Sequence, residues 1–201
     1  RWNDSLITRE YFVSNPDRVM AVRMHSDNKP MTFSGNYDLK GMANRGIAVE
    51  GEDTLVIRGG VNDYRGVKSG IEFVVRVKFI PENGNLSHTE NTITVSDTTD
   101  CTILTTIATN FVSYDDISGD EEKLAEDMMD QASGKKYEEL KQAHISDYQK
   151  LYNRVNIELG GGEKSVPINE IRQRLAESDD PAFVELAYNF DRYLQIEGSR
   201  K

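Results

Sequence analysis

The sequence predicts an α+β fold in which an antiparallel β-sandwich comes first and helices follow. Composition changes near Asp115: the upstream part is rich in Val, Ile, Thr and Phe, the downstream part in Glu, Lys, Leu, Ala and Gln. Upstream, apolar residues recur with a period of two in short runs separated by Gly, Asn and Asp. Strand-formers and helix-formers are segregated along the chain, which favours a sandwich over a parallel sheet with crossover helices.

In chain order, the first strands are expected at Thr8–Ser14, Arg18–His25, Met31–Tyr37, Gly46–Val49 and Thr54–Ile57, with Gly51-Glu52-Asp53 joining the last two. Ile71, Phe73, Val75, Val77 and Phe79 alternate with Glu72, Arg76 and Lys78, the pattern of a strand with one buried face. That strand ends at Glu82-Asn83-Gly84-Asn85, where Asn-Gly supplies the positive φ of a hairpin turn. Thr92–Val95 alternates again, Asp97–Asp100 is a polar turn, and Cys101–Thr109 is the next strand.

Ser118 followed by Glu121 predicts a capping box at the start of the first helix, whose apolar stripe is Leu124, Met128 and Met129. Ser133-Gly134 ends it. A second helix carries Leu140, His144, Tyr148, Leu151, Tyr152 and Val155 on one side. Gly160-Gly161-Gly162 with Glu163-Lys164-Ser165 is a connector, and a short helix is expected from Asn169 to Ala176. The last helix opens at Asp180-Pro181, a cap followed by proline at the first helical position. Its stripe of Phe183, Leu186, Ala187, Phe190, Tyr193 and Leu194 is expected to be partly uncovered. The expected division is a sandwich domain at 1–114, a helical linker at 115–165 and the start of a further helical domain at 166–201.

The chain of 201 residues is long enough to bury a core without staples, and its net charge is −10. That charge argues against nucleic acid, whose phosphates need a basic surface, and against an anionic membrane surface. No apolar stretch reaches the length of a membrane span. The single cysteine, Cys101, lies in an apolar run and reads as a buried, inert thiol. The sequence opens at Arg1-Trp2-Asn3 without an initiator Met or a signal peptide and reads as a piece of a longer chain.

The search for chemistry starts with carboxylates. Asp115-Asp116, Asp120-Glu121-Glu122 and Asp179-Asp180 sit in loops or at helix starts, where capping and solvation account for them. His25, His88 and His144 lack metal-ligand spacing, and no metal or cofactor is expected. His144 reads as a packed or rim residue. No Gly-x-Ser-x-Gly elbow occurs. Gly59-Gly60 and Gly66 flank Val61–Arg65 with no helix after them, so they make no phosphate cradle but a loop between strands. The alternative for that loop is contact with a neighbouring domain or a sugar, with Tyr64 as a stacking ring and Arg65 as a hydrogen-bond donor. No catalytic constellation emerges.

Five segments carry a resemblance. They are Thr8-Arg9-Glu10-Tyr11-Phe12-Val13-Ser14-Asn15-Pro16-Asp17-Arg18-Val19; the loop Arg58–Gly70 leading into Ile71-Glu72-Phe73; Thr105–Phe111; Lys136-Tyr137-Glu138-Glu139-Leu140 with His144, Asp147-Tyr148-Gln149, Leu151-Tyr152 and Arg154-Val155; and Asp180-Pro181-Ala182 with Phe190-Asp191-Arg192-Tyr193-Leu194. Together they resemble the N-terminal part of the bacterial family 95 α-L-fucosidases. Gln195 and Glu197-Gly198 depart from the family's pattern, and the front of the sandwich is short.

The resemblance implies a supersandwich-like domain, a helical linker and the first helix of an α/α toroid. It implies a parent enzyme that releases L-fucose from α-1,2-linked glycans with inversion. Its general-acid glutamate and its asparagine pair, oriented by an aspartate, would lie in the toroid beyond Arg200-Lys201. No catalytic residue is therefore assigned here, and Tyr64 and Arg65 are the substrate-side candidates. The expected partners are the fucosylated glycan, met by the toroid, and the toroid itself, on which the sandwich would pack; the Gly59–Gly70 loop is expected to face it. The expected location is periplasmic or secreted. Three alternatives stand beside this reading. One is a carbohydrate-binding module with Trp2, Tyr37 and Tyr64 as a platform. Another is the N-terminal domain of a related toroid-bearing glycosidase or phosphorylase, and the third is a purely structural domain.

Overall fold

The computed structural model describes residues 5–37, 43–160, 169–170, 173 and 181–200. The fold is the expected α+β arrangement of a sandwich followed by helices. Nine strands are described: β1 Ile7–Ser14, β2 Val19–Ser26, β3 Met31–Asn36, β4 Ala43–Glu50, β5 Thr54–Gly60, β6 Glu72–Pro81, β7 Asn85–His88, β8 Thr92–Thr98 and β9 Asp100–Thr109. The larger sheet has the order β1-β2-β9-β6-β5-β4 and the smaller β3-β8-β7, and every pairing is antiparallel. Among the described residues the long helices are α1 Glu121–Ser133, α2 Tyr137–Tyr152 and α3 Pro181–Gly198.

The larger sheet is covered on both faces. One face meets the small sheet through Leu55, Ile57, Phe79 and Cys101, packed with Met31, Ile93 and Val95. The other face meets α1 and the start of α2 through Val19, Ala21 and Leu104 against Met129, Ala132, Tyr137 and Leu140. Beside it, Val56, Val74 and Ala108 pack on Ala125 and Met128. The β6 strand therefore departs from the expectation of one buried face: Val74 and Arg76 on its other face are buried as well, because α1 lies over them.

Asn83-Gly84 departs from the expected hairpin. Gly84 does have a positive φ of 89°, and a Cβ there would lie 2.2 Å from the carbonyl oxygen of Ser96. But β6 belongs to the larger sheet and β7 to the smaller, so the turn carries the chain across between sheets. Asn83 staples this crossing to the return crossing at Thr99, whose N–H donates to Asn83 Oδ1 at 2.9 Å. The paired strands are β7 and β8, closed where Thr89 N–H donates to Thr92 O.

The helix start also shifts. Asp120, not Ser118, caps α1, accepting from Lys123 N–H at 2.9 Å. Ser118 is spent on Asp116, to which its hydroxyl donates at 2.7 Å. Gly134 ends α1 as expected. Val155 falls beyond α2 and is exposed. The 161–168 connector, most of the Asn169–Ala176 helix, Asp179-Asp180 and Trp2 lie outside the described residues.

Residues Arg1–His144 form one compact unit and Ile145–Lys201 a second. In the second, Arg192 of α3 donates to three carbonyl oxygens at the end of α2: Val155 at 2.8 Å, Tyr152 at 2.9 Å and Leu151 at 3.4 Å. Leu186, Phe190, Tyr193 and Leu194 of the α3 stripe are exposed, while Glu185 is buried and accepts from Leu159 N–H at 3.2 Å.

Candidate functional site

Among the described residues, two places carry exposed side chains capable of chemistry, and both lie in the first unit. The first is the loop between β5 and β6 that holds Tyr64 and Arg65. Tyr64 and Val67 exchange backbone hydrogen bonds of 3.0 Å, closing a two-residue turn with Arg65 at φ 51° and Gly66 at φ 81°. Those are the signs a type I′ turn requires. The Arg65 guanidinium lies over the Tyr64 ring, 5.3 Å from its centroid. Asp63 fixes the loop by accepting from Ser69 N–H at 2.9 Å.

This loop is joined at its base to the next one, 110–119. The Asn110 side chain accepts from Glu72 N–H and donates to Gly70 O at 2.9 Å. A Cβ on Gly70 would meet Ile117, so the two loop bases are in contact. Tyr64, Val67, Phe111, Val112 and Tyr114 are all exposed on the pair.

The second place is a cleft of 210 Å³ lined by Thr8, Glu10, Arg23 and His25. Antiparallel register sets Thr8 opposite His25 and Glu10 opposite Arg23, and residues two apart share a face. Asp100 at the start of β9 holds two of them. Its Oδ1 accepts from Arg23 Nε at 3.1 Å and Nη2 at 2.9 Å, and its Oδ2 lies 2.8 Å from His25 Nδ1. Arg23 Nη1 donates to Glu138 at 3.0 Å, and its guanidinium lies over the Tyr137 ring. Glu10 accepts from Lys141 Nζ at 2.8 Å and from Tyr137 OH at 3.4 Å.

The electrostatics follow from these contacts. The Lys141 hydrogen bond holds the Glu10 carboxyl below its usual range. Burial raises the Asp100 carboxyl, but the bonds from His25 and Arg23 outweigh it and the net direction is down. Burial, helped by the Glu10 charge, pushes the Tyr137 hydroxyl up to about 12. Glu10 and Asp100 are thus fixed ionic partners, both lowered where a general acid would be raised.

Sequence reasoning found the first loop and missed the cleft, whose members are common residue types brought together by register. Asp115, Asp116, Asp120 and Glu121 sit in a loop or at a helix start as expected, Asp179-Asp180 lie outside the described residues, and Glu122 is the exception. Glu122 turns inward to Arg58, which also donates to Glu50 at 2.8 Å, and Arg76 donates to Glu50 at the same distance. His144 stacks on Phe12 at 5.2 Å, the packed role expected of it, and His88 is exposed beside Thr89 O. Among the described residues no group of three His, Cys, Asp or Glu side chains is placed to hold a metal.

The comparisons divide along the same line as the composition. Residues 2–114 match the glycosyl hydrolase family 65 N-terminal domain, and residues 136–201 match the glycosyl hydrolase family 95 catalytic domain. The chain is 24% identical to a protein named alpha-L-fucosidase 2 from Arabidopsis thaliana, over 96% of its own length and 26% of that relative's. The resemblance to the front part of a family 95 enzyme is therefore shown. The relative is a plant protein and brings no support for a bacterial origin. The chain spans about a quarter of it.

Proposed function

The chain belongs to the family of glycosyl hydrolase family 65 N-terminal domains, and on that premise we propose that it is the non-catalytic front of an α-L-fucosidase. The parent enzyme would release L-fucose from α-1,2-linked glycans with inversion, in a helical domain entered through α2. The observation that supports this reading is where the family 95 match begins. It opens at residue 136, and the first turns of that segment are seated on the sandwich by Tyr137, Leu140 and Lys141. The sandwich is then the footing from which the catalytic domain grows. In this reading 1–114 is the sandwich, 115–165 the linker and 166–201 the start of the toroid, with the Gly59–Gly70 loop facing it.

The test is fucose release from an α-1,2-fucosylated oligosaccharide by this chain and by the same protein extended through the following domains. Release by the extended protein alone is the expected result. Release by neither removes the fucosidase, and release by the short chain removes the non-catalytic role. Export to the periplasm or the medium goes with a glycan substrate, and recovery of the parent protein in the cytosolic fraction alone would contradict it.

A further inference from the structure

The charged groups around the β1–β2 cleft neutralise one another before any ligand arrives. Arg23 is taken by Asp100 and Glu138, and Lys141 by Glu10. An ionic ligand would have to break one of these pairs, at a cost that a free ion pair in water does not carry.

The hydrogen-bonding capacity left over is different in kind. His25 presents Nδ1 to the Asp100 carboxylate, so a proton sits in that hydrogen bond and Nε2 is turned away from it, an acceptor when the ring is neutral. Neither His25 Nε2 nor the Thr8 hydroxyl has a hydrogen-bond partner among the described residues. The Arg23 guanidinium has five N–H groups, and its bonds to Asp100 and Glu138 leave some of them free. The Glu10 carboxylate accepts two bonds and keeps lone pairs. Donors and acceptors therefore stand side by side on two paired strands, and Glu10, Arg23 and His25 are held in place by partners behind them. That spares a ligand the entropic cost of ordering them.

A row of hydroxyls, each both donor and acceptor, matches this lining better than a carboxylate, a phosphate or an ammonium. The cleft's 210 Å³ has room for several waters, which a single small ring could displace. We propose that the β1–β2 cleft binds a single neutral pyranose through adjacent ring hydroxyls, with Thr8 and His25 as its principal contacts. The proposal stands on the lining of the cleft and holds or fails independently of the enzymatic reading.

The experiment is an NMR titration of the isotope-labelled 201-residue chain with L-fucose, D-galactose, D-glucose and D-glucuronate. Each is taken to about 50 mM, above the millimolar affinity that a few hydrogen bonds provide. The expected result is saturable movement of the Thr8, Arg23 or His25 signals with at least one neutral sugar. Thr8→Ala and His25→Ala should each weaken it by roughly tenfold, the loss of one hydrogen bond to a fixed partner, and Thr8→Ser should restore it. Both positions are partly or largely exposed, so these variants keep the fold, and an unchanged spectrum elsewhere checks that. No saturable movement with any neutral sugar overturns the proposal. So does movement that survives both alanine variants, or glucuronate binding as tightly as glucose.

Discussion

Lys135 Nζ lies 2.5 Å from Asp17 Oδ1, joining the turn between α1 and α2 to the turn between β1 and β2. The Asp17 side chain is almost wholly buried and also accepts from the Ser14 hydroxyl at 2.6 Å. Removing the ammonium leaves a buried carboxylate with a single neutral donor. Lys135→Met is expected to lower stability by about 1–3 kcal/mol, less than a fully buried pair because the lysine is half exposed. Urea denaturation measures it, and a midpoint unchanged from the parent would show that the pair contributes nothing.

Phe12 lies between Tyr137 at 5.5 Å and His144 at 5.2 Å, so one β1 side chain holds two turns of α2. Phe12→Ala should cost about 2–4 kcal/mol, somewhat less than the ~3–5 kcal/mol of core aromatics because Phe12 is only partly buried. The loss should be local first. Hydrogen exchange at the α2 amides is expected to accelerate ahead of exchange in β9, and uniform acceleration would contradict the clamp.

Arg192 closes the end of α2 by donating to the Leu151, Tyr152 and Val155 carbonyls. Leu151 and Tyr152 belong to the last turn of α2, where carbonyls lack i+4 partners, and Leu151 O also accepts from Arg154 N–H at 3.3 Å, so the guanidinium acts as a C-terminal cap. Arg192→Ala should destabilise the second unit by about 1–2 kcal/mol. Proteolytic cleavage between 153 and 160 is expected to become faster, and an unchanged rate would remove the cap from the account.

Acid should loosen the sandwich. Hydrogen bonds from Arg58 and then Arg76 hold the Glu50 carboxyl below its ordinary value of 4.5, and Lys141 does the same for Glu10. A carboxyl lowered in the folded state binds fewer protons there than when unfolded. Its contribution is therefore complete above pH 4.5 and is lost as pH falls through the folded value. Thermal unfolding from pH 6 downward should show midpoints dropping below that point. Arg58→Met should flatten the decline, and an equally steep decline in the variant would assign it to other groups.

The Cys101 thiol is pushed up to about 11 by burial, from an ordinary 9. Raised in the folded state, it contributes stability below pH 9 that is lost as pH rises towards 11. A thiol reagent at pH 8 should leave the native chain unmodified and label it fully in denaturant. Rapid labelling of the native chain would place Cys101 at the surface.

Much of this architecture was legible where one physical rule governed. Period-two alternation located β1, β2, β3, β8 and β9 to within a few residues, and Gly134 ended α1 where expected. The failures come from partners that are remote in sequence. The short β7 strand shows no alternation beyond Leu86, and it exists because β8 pairs with it. Arg76 reads as a solvent-facing residue until α1 covers it and brings Glu122. The cleft was invisible because Thr8 and Glu10 meet His25 and Arg23 only through strand register. The first of the segments that carried the family resemblance packs on α2 and on the turn before it. Glu10, Phe12 and Asp17 meet Lys141, Tyr137, His144 and Lys135, contacts that no spacing in the sequence displays.

The central position of β9 has a consequence for synthesis. It pairs with β2 on one side and β6 on the other, so the β1–β2 ribbon and the β4–β5–β6 meander have no hydrogen-bonded link until β9 arrives. On a ribosome, both would wait with an open edge while the rest of the chain is translated, a hazard for strands that can pair with neighbours. Closing the sheet last, by a strand distant from β2 in sequence, makes folding slow relative to helical domains of the same size. A chain cut before Asp100 would leave two ribbons with nothing between them.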